Sequence, residues 1–352
     1  MDKELLKRLC EADSVAGNED EVRSLLIEEL KNSCDEILFD GIGSVIFHKK
    51  GTSEHPLKIM LCAHMDEVGF LVRSISNIGM VHVIAVGGVK NEAKSNQMVR
   101  ITAQDGQKVH GIMNSIWNAD HTQIKVTYVD IGCQSKEEAE ALGIQIGDMV
   151  TFASLAREME SDGVFAAKAL DDRIGCYILA QVLKDREAAW PHDVYIAMTS
   201  SEEVGMRGGK TAACKICPDL VFAVDVANAP DLVRDHTNHR KIKEGCMFVH
   251  YDKSMAANRK LLRFLKEIAQ EHDIPYQCDM FSGGGTDAGE AHLAGSGCPA
   301  CVIGIPLRLC HGPYSMMHMD DANHTITLIA HILDAMNDEI YADINNYIGG
   351  RK

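Results

Sequence analysis

Hydrophobic spacing changes twice along the chain. Near the start, Leu5, Leu6 and Leu9 recur at helical intervals, and "GNEDEVRSLLIEEL" repeats the pattern with Val22, Leu25, Leu26 and Leu30 on one face and Asn18 as the expected N-cap. Three apolar runs follow, "EILFD", "SVIFHK" and "LKIMLCAH", the first two divided by a Gly41/Gly43 turn, and these predict strands. From about Val68 to Asp162 the runs shorten and alternate ("GFLVRSI", "MVHVIAV", "QMVRITA", "KVHGIM", "IKVTYVDI"), with Gly, Asn and Asp between them. That texture predicts a small barrel-like β domain, interrupted by one helix, "SKEEAEALG", whose Ser135 and Glu138 form a capping box.

After Val164 strands and helices alternate: "RIGCYILAQVLKD", "DVYIAMTSS", "RGGKTAACKI", "DLVFAVDV", "NRKLLRFLKEIAQEH", "PACVIGI" and a helix from about Asp321, with Asp320 and Asp321 as its capping residues. Such alternation predicts a mostly parallel sheet with helices on both faces. The expected organisation is therefore an α/β domain of residues 1–67 and 163–352, interrupted by a β-rich domain over 68–162. A chain of 352 residues is long enough for two cores.

Composition narrows the partners. A formal charge of -16, from 51 acidic and 35 basic side chains with no basic run, disfavours nucleic acid and anionic lipid. The N-terminal "MDKELLKRLCEADS" threads charges through its leucines, unlike a signal peptide, and no apolar stretch is long enough to span a bilayer. A cytoplasmic, non-membrane protein is expected, and a reducing compartment suits its twelve cysteines. Two pairs, Cys214/Cys217 and Cys298/Cys301, match CxxC but stand in helix and strand contexts, so they read as packed thiols.

Candidate chemistry gathers where strands end. In α/β sheets the functional crevice lies beyond the carboxyl ends of the strands. "KIMLCAHMDE", "VYIAMTSSEE", "LVFAVDVA" and "CVIGIPLRLCH" each carry an apolar run into imidazoles or carboxylates, and Asp171 and Asp172 precede a helix start in "KALDDRIG". His64 and Asp66 lie two apart, on one side of an extended chain, so the carboxylate can orient the imidazole. Glu202 and Glu203 are adjacent and diverge, so one can ligate a metal while the other faces water. Asp225 ends an apolar strand with no cation near it in sequence, and a metal would remove the cost of burying it. Imidazole and carboxylate donors without thiolate suit zinc, cobalt or manganese, and such a set can serve hydrolysis of an amide or ester.

Six segments, "AHMDEVGF", "KALDDRIGC", "SSEEVGMRGG", "AVDVA", "GGGTDAG" and "RLCH", occur in an order that resembles the M42 family of dinuclear metallo-aminopeptidases, and the resemblance runs from "SVAGNEDEVR" to "DDANHTITLIAHIL". It implies a zinc-peptidase-like catalytic domain and two divalent ions, zinc first, cobalt or manganese otherwise. It implies His64, Asp171 and Asp225 on one ion, Asp171, Glu203 and His311 on the other, Glu202 as general base and Asp66 as the acid that tunes His64. It also implies that Gly285, Thr286 and Asp287 adjoin a peptide substrate. The inserted domain is expected to build subunit contacts in a homo-oligomer, often a dodecameric tetrahedral shell.

Other readings are weaker. A deacylase or dipeptidase would use the same metals, and a silent metal-stabilised shell protein would be expected to lack a base or ligand. Adjacent Glu202 and Glu203 do not flank a sugar bond as a glycosidase requires. Ser200 and Ser201 lack a GxSxG elbow, "FSGGGTDAG" lacks a Walker lysine, and His236 and His239 read as a solvated loop. The segments "GIMNSIWNADHTQ" and "RDHTNHRKIKEGCMF" depart from the family pattern and are expected to line or gate the substrate chamber.

Overall fold

The computed structural model describes residues 2–186, 188–229, 231–232 and 239–348. Its body is an eight-stranded sheet in the order Glu36–Phe39, Val45–Lys49, Asp193–Thr199, Lys58–His64, Leu220–Asn228, Ala300–Leu307, Cys246–Tyr251, Tyr276–Met280. The four central strands are parallel, so their carboxyl ends share one edge. Toward the rims, Val45–Lys49 pairs antiparallel with Asp193–Thr199, and Cys246–Tyr251 pairs antiparallel with Ala300–Leu307. The sheet is thus mixed, and its parallel part is the centre. Every residue of Ala300–Leu307 is buried, as for a strand covered on both faces.

Helices Leu170–Lys184, Arg207–Ile216, Arg259–Glu271 and Met319–Ala335 pack on this sheet, while Lys3–Glu11 and Asp20–Leu30 pack on Leu170–Lys184, and the apolar residues named from the periodicity, Leu5, Leu6, Leu9, Val22, Leu26 and Leu30, are in the same core. Asn18 is not a cap: helix Asp20–Leu30 begins after Glu19 and has no side-chain cap. Glu19 is buried instead, and its Oε1 accepts from Gly17 N at 2.8 Å, Ser201 N at 3.1 Å and Ser200 Oγ at 2.6 Å. At Met319–Ala335 the cap is His318, which accepts from Asp320 N. Asp321 lies inside the first turn, and its two oxygens accept from Lys243 N and Gly245 N, both at 2.7 Å.

Six strands, Gly69–Ile75, Val81–Val86, Gln97–Thr102, Lys108–Trp117, Ile124–Asp130 and Met149–Phe152, close into a barrel with its own apolar core, and Ser135 caps helix Lys136–Ala141 inside this stretch. The strand Arg157–Glu158 belongs to a separate small sheet with Val164–Ala167 and Ser315–His318.

Asp13 fixes the barrel to the body. Its carboxylate, fully buried, meets Arg100 Nε at 2.6 Å, Lys108 Nζ at 2.8 Å and Thr151 Oγ1 at 2.7 Å from three barrel strands, and Lys168 Nζ at 3.3 Å from the body. Glu67, the last acid of "AHMDE", joins the same network through Lys168 Nζ at 2.6 Å and Arg173 at 3.3 Å, so its role is to hold the strand mouth in place.

Candidate active site

The parallel strand ends deliver their polar residues to one place. His64 ends Lys58–His64, Asp225 lies in Leu220–Asn228, Glu202 and Glu203 follow Asp193–Thr199, and His311 follows Ala300–Leu307 by a short loop. Asp171 stands at the start of Leu170–Lys184, where neither it nor Asp172 has helical dihedrals and their shared peptide is cis. These six residues, His64, Asp171, Glu202, Glu203, Asp225 and His311, line a cavity of about 600 Å³.

Asp171 stands between the two imidazoles: Oδ1 is 3.1 Å from His64 Nε2 and Oδ2 is 3.1 Å from His311 Nε2. Each ring is aimed from behind. His64 Nδ1 lies 2.9 Å from the main-chain carbonyl of Asp66, and His311 Nδ1 lies 3.1 Å from the carbonyl of Gly88 in the barrel domain. With Nδ1–H donated to those carbonyls, both Nε2 atoms are left to accept a ligand.

The Asp66 carboxylate does something the spacing did not suggest. It is 3.6 Å from His64 Nδ1, farther than its own carbonyl, while its oxygens accept from Glu202 N at 3.0 Å and Glu203 N at 3.1 Å. Asp66 therefore ties the glutamate loop to the histidine strand. Glu19 does the same from the other side through Ser200 and Ser201, which occupies those hydroxyls in positioning.

Charge in the cluster is unbalanced. The ion pairs of Asp171, Glu202 and Glu203 among the described residues are with His64 and His311 only, and no Lys or Arg pairs with them or with Asp225. Burial and, next, the Asp171 carboxylate push Glu203 up to about 7. Burial raises Glu202 and Asp225 well above the usual carboxylate range, with neighbouring acids adding to it. Burial opposes protonation of the two histidines, but the surrounding acids, Asp171 foremost, together overcome it, raising His64 well above its ordinary value and His311 to about 9. For Asp171 burial is overcome by the two imidazoles, and its carboxyl is held far below the usual range. Glu203 Oε1 is buried, 3.5 Å from His311 Nε2, and has no hydrogen-bond donor. Buried carboxyls short of cations, gathered around two imidazole Nε2 atoms that a divalent metal can claim in place of a proton, form a donor set that fits such an ion.

Three residue groups have ligand atoms close enough to share an ion: His64, Asp171 and Glu203; His64, Asp172 and Asp225; and Asp171, Cys310 and His311. Two members, Asp172 and Cys310, were not singled out as ligands from the sequence. The Asp172 oxygens accept from Gly175 N at 3.0 Å and His64 N at 3.3 Å, so this acid braces the His64 strand end. Cys310 places Sγ 2.8 Å from Asp171 Oδ2, and burial and Asp171 hold its thiol well above the ordinary range.

Gly285 and Thr286 line the cavity, and Thr286 Oγ1 is buried without a hydrogen-bond partner. Asp287 does not line it. Its carboxylate turns inward to Thr199 Oγ1 and to Gly209 N at 3.0 Å, because these groups lie under the loop and solvate the buried charge. The turn 118–123 is an exposed barrel tip away from the cavity, whereas Arg240 from the second departing segment does line it. His236 lies outside the described residues. No metal-capable group among the described residues includes His239 or a CxxC pair, and the twelve cysteines are all free.

A parallel sheet edge that presents imidazoles and carboxylates to a cavity, with no serine elbow and no phosphate cradle, defines a hydrolase centre of the metal-binding kind. The sequence profile of M42 glutamyl aminopeptidases matches residues 43–328. The chain belongs to this family of peptidases. It is 35% identical over 332 residues, 93% of this chain and 96% of the other, to a protein of Acetivibrio thermocellus described as a putative aminopeptidase. A TET aminopeptidase from the marine sediment archaeon Thaumarchaeota archaeon SCGC AB-539-E09 superimposes with a TM-score of 0.92 at 35% identity, covering 97% of this chain and 99% of that one. PhTET1-12s, described as a dodecamer, superimposes with a TM-score of 0.85 at 25% identity, covering 96% and 100%.

Proposed function

We propose that the chain is an aminopeptidase that removes N-terminal residues from short peptides at a centre of two divalent cations. The observation that carries this reading is the placement of Asp171, one oxygen toward His64 and the other toward His311. His64, Asp171 and Asp225 would hold one ion, and Asp171, Glu203 and His311 the other. Two such ions supply a lowered pKa for water and polarisation of the scissile carbonyl. Glu202, beside this cluster with a side chain 11% exposed, takes the water's proton on its carboxylate and delivers it to the leaving amine nitrogen. Asp66 orients this base by holding the Glu202 N–H. Zinc fits the donors, and cobalt or manganese can replace it.

Thr286 Oγ1 and the Gly285 backbone contribute to the wall that the peptide meets. The working form is a homo-oligomer, a dodecamer as in PhTET1-12s, assembled through the barrel domain 68–162 in a cytoplasmic setting. Support comes from exposed apolar side chains on barrel strands, Ile84, Met98, Ile112 and Ile116.

The test uses peptides with free and with acetylated N-termini. Stepwise loss from free N-termini alone supports the aminopeptidase, while release of acetyl groups would move the chain to the deacylases. Glu202→Gln should lower kcat about 10²–10⁴-fold with metal content unchanged; full activity in that variant sinks the proposed role of Glu202.

A further inference from the structure

We propose that Cys310 is a direct donor to the cation at the His311 position, giving that position a sulfur ligand that the His64 position lacks. The inference rests on reading the cluster as a metal centre.

Neighbouring side chains on an extended segment point apart. Around Cys310 the chain is not extended: Leu309 and His311 have φ of +61° and +64°, and the loop turns on both sides of the cysteine. As a result Cys310 Sγ and His311 Nε2 reach the same oxygen, Asp171 Oδ2, at 2.8 and 3.1 Å. One ligand atom from each of these three residues lies within 4.8 Å of the others. Cys310 is 8% exposed and lines the cavity, so its sulfur faces the same space as the two ligands beside it. An independent observation points to a cation there. Glu203 Oε1, in a side chain 6% exposed, stands 3.5 Å from His311 Nε2 and lacks a hydrogen-bond donor.

The two groups that include His64 contain only imidazole and carboxylate. The two positions are therefore chemically unlike. Thiolate favours zinc, whereas carboxylate and imidazole alone accept manganese more readily. When the ion binds, the thiol proton now directed at Asp171 leaves to solvent and a metal–sulfur bond forms. The His311 position should accordingly fill with zinc first and give it up last.

The experiment is X-ray absorption on the full chain stripped of metal and reloaded with zinc, with bound zinc counted by equilibrium dialysis. A sulfur shell at about 2.3 Å in the wild type, absent in Cys310→Ser at equal zinc content, is the expected result. Cobalt loading should give a near-ultraviolet sulfur-to-cobalt charge-transfer band that the same variant loses, and its zinc-over-manganese preference should fall at least about tenfold. Two bound zinc ions with only nitrogen and oxygen neighbours in the wild type would overturn the sulfur ligand and leave the metal centre standing. A sulfur shell that survives in Cys310→Ser overturns it as well, because another thiol would be the source. No bound zinc overturns both readings. The wild-type spectrum decides even where Cys310→Ser fails to fold.

Discussion

The carboxylate of Asp66 accepts the backbone N–H of Glu202 at 3.0 Å and, through its other oxygen, that of Glu203 at 3.1 Å. One side chain thus sets the distance between the strand that ends in His64 and the loop that carries both glutamates. Asp66→Asn keeps the shape but turns an N–H₂ toward one of these donors. We expect kcat to fall about 10–100-fold with little loss of bound zinc, read from steady-state kinetics and metal analysis. Unchanged kcat would mean that the loop holds its position through Glu19 alone.

The barrel domain reaches into the site through Gly87 and Gly88. A Cβ at Gly88 would lie 3.0 Å from His311 Nδ1, and one at Gly87, where φ is +76°, would lie 3.1 Å from Glu203 Oε2. Gly88→Ala should displace His311 and weaken the cation beside it about 10–100-fold, leaving the fold intact by circular dichroism. Competition with a chelator of known affinity measures the change.

Removal of metal should expose the charge imbalance as instability. Among the described residues the site acids Asp171, Glu202 and Glu203 pair only with His64 and His311. Adding zinc to chelated protein at 100 times its dissociation constant should stabilise the fold by about 2.7 kcal/mol per site, seen as a rise in melting temperature. An unchanged melting temperature would count against a native cation site.

Asp13 gives a pH dependence with a definite sign. Burial works to raise its carboxyl, but the charges and hydrogen bonds of Lys168, Arg100 and Lys108 overcome this and hold it well below the usual range. An acid depressed in the folded state stabilises above its unfolded value of about 4, and that stability is lost as pH falls toward the folded value. Near neutral pH Asp13→Asn should cost about 3–5 kcal/mol, since it leaves buried cations short of a partner. In urea unfolding the gap between wild type and variant should narrow steadily below about pH 4.

Much of this site was legible from one dimension. His64, Glu202, Glu203, Asp225 and His311 follow apolar runs, and an apolar run that stops at an imidazole or a carboxylate marks a parallel strand's carboxyl end. The barrel was legible too, because alternation over short runs with Gly and Asn turns has few other solutions. Glu19, Asp66, Asp172 and Asp321 were harder. Each is an acid whose partner is a backbone N–H from a distant segment, and no local pattern announces such a partner. Asn18 failed as a cap because the buried Glu19 carboxylate beside it was needed by Gly17, Ser200 and Ser201.

By itself the sequence determined the main helices and strands, the α/β and barrel-like textures, and the residue types at the strand mouths, since hydrophobic period and strand-end chemistry are local properties. The tertiary structure alone decided which atoms meet. Sheet order places Lys58–His64 between Asp193–Thr199 and Leu220–Asn228, which brings together residues more than a hundred positions apart. The left-handed turns at Leu309 and His311 bring Cys310 to Asp171, and the barrel's Gly88 carbonyl aims the His311 ring. These are facts of backbone direction and long-range contact, which hydrophobic periodicity does not encode.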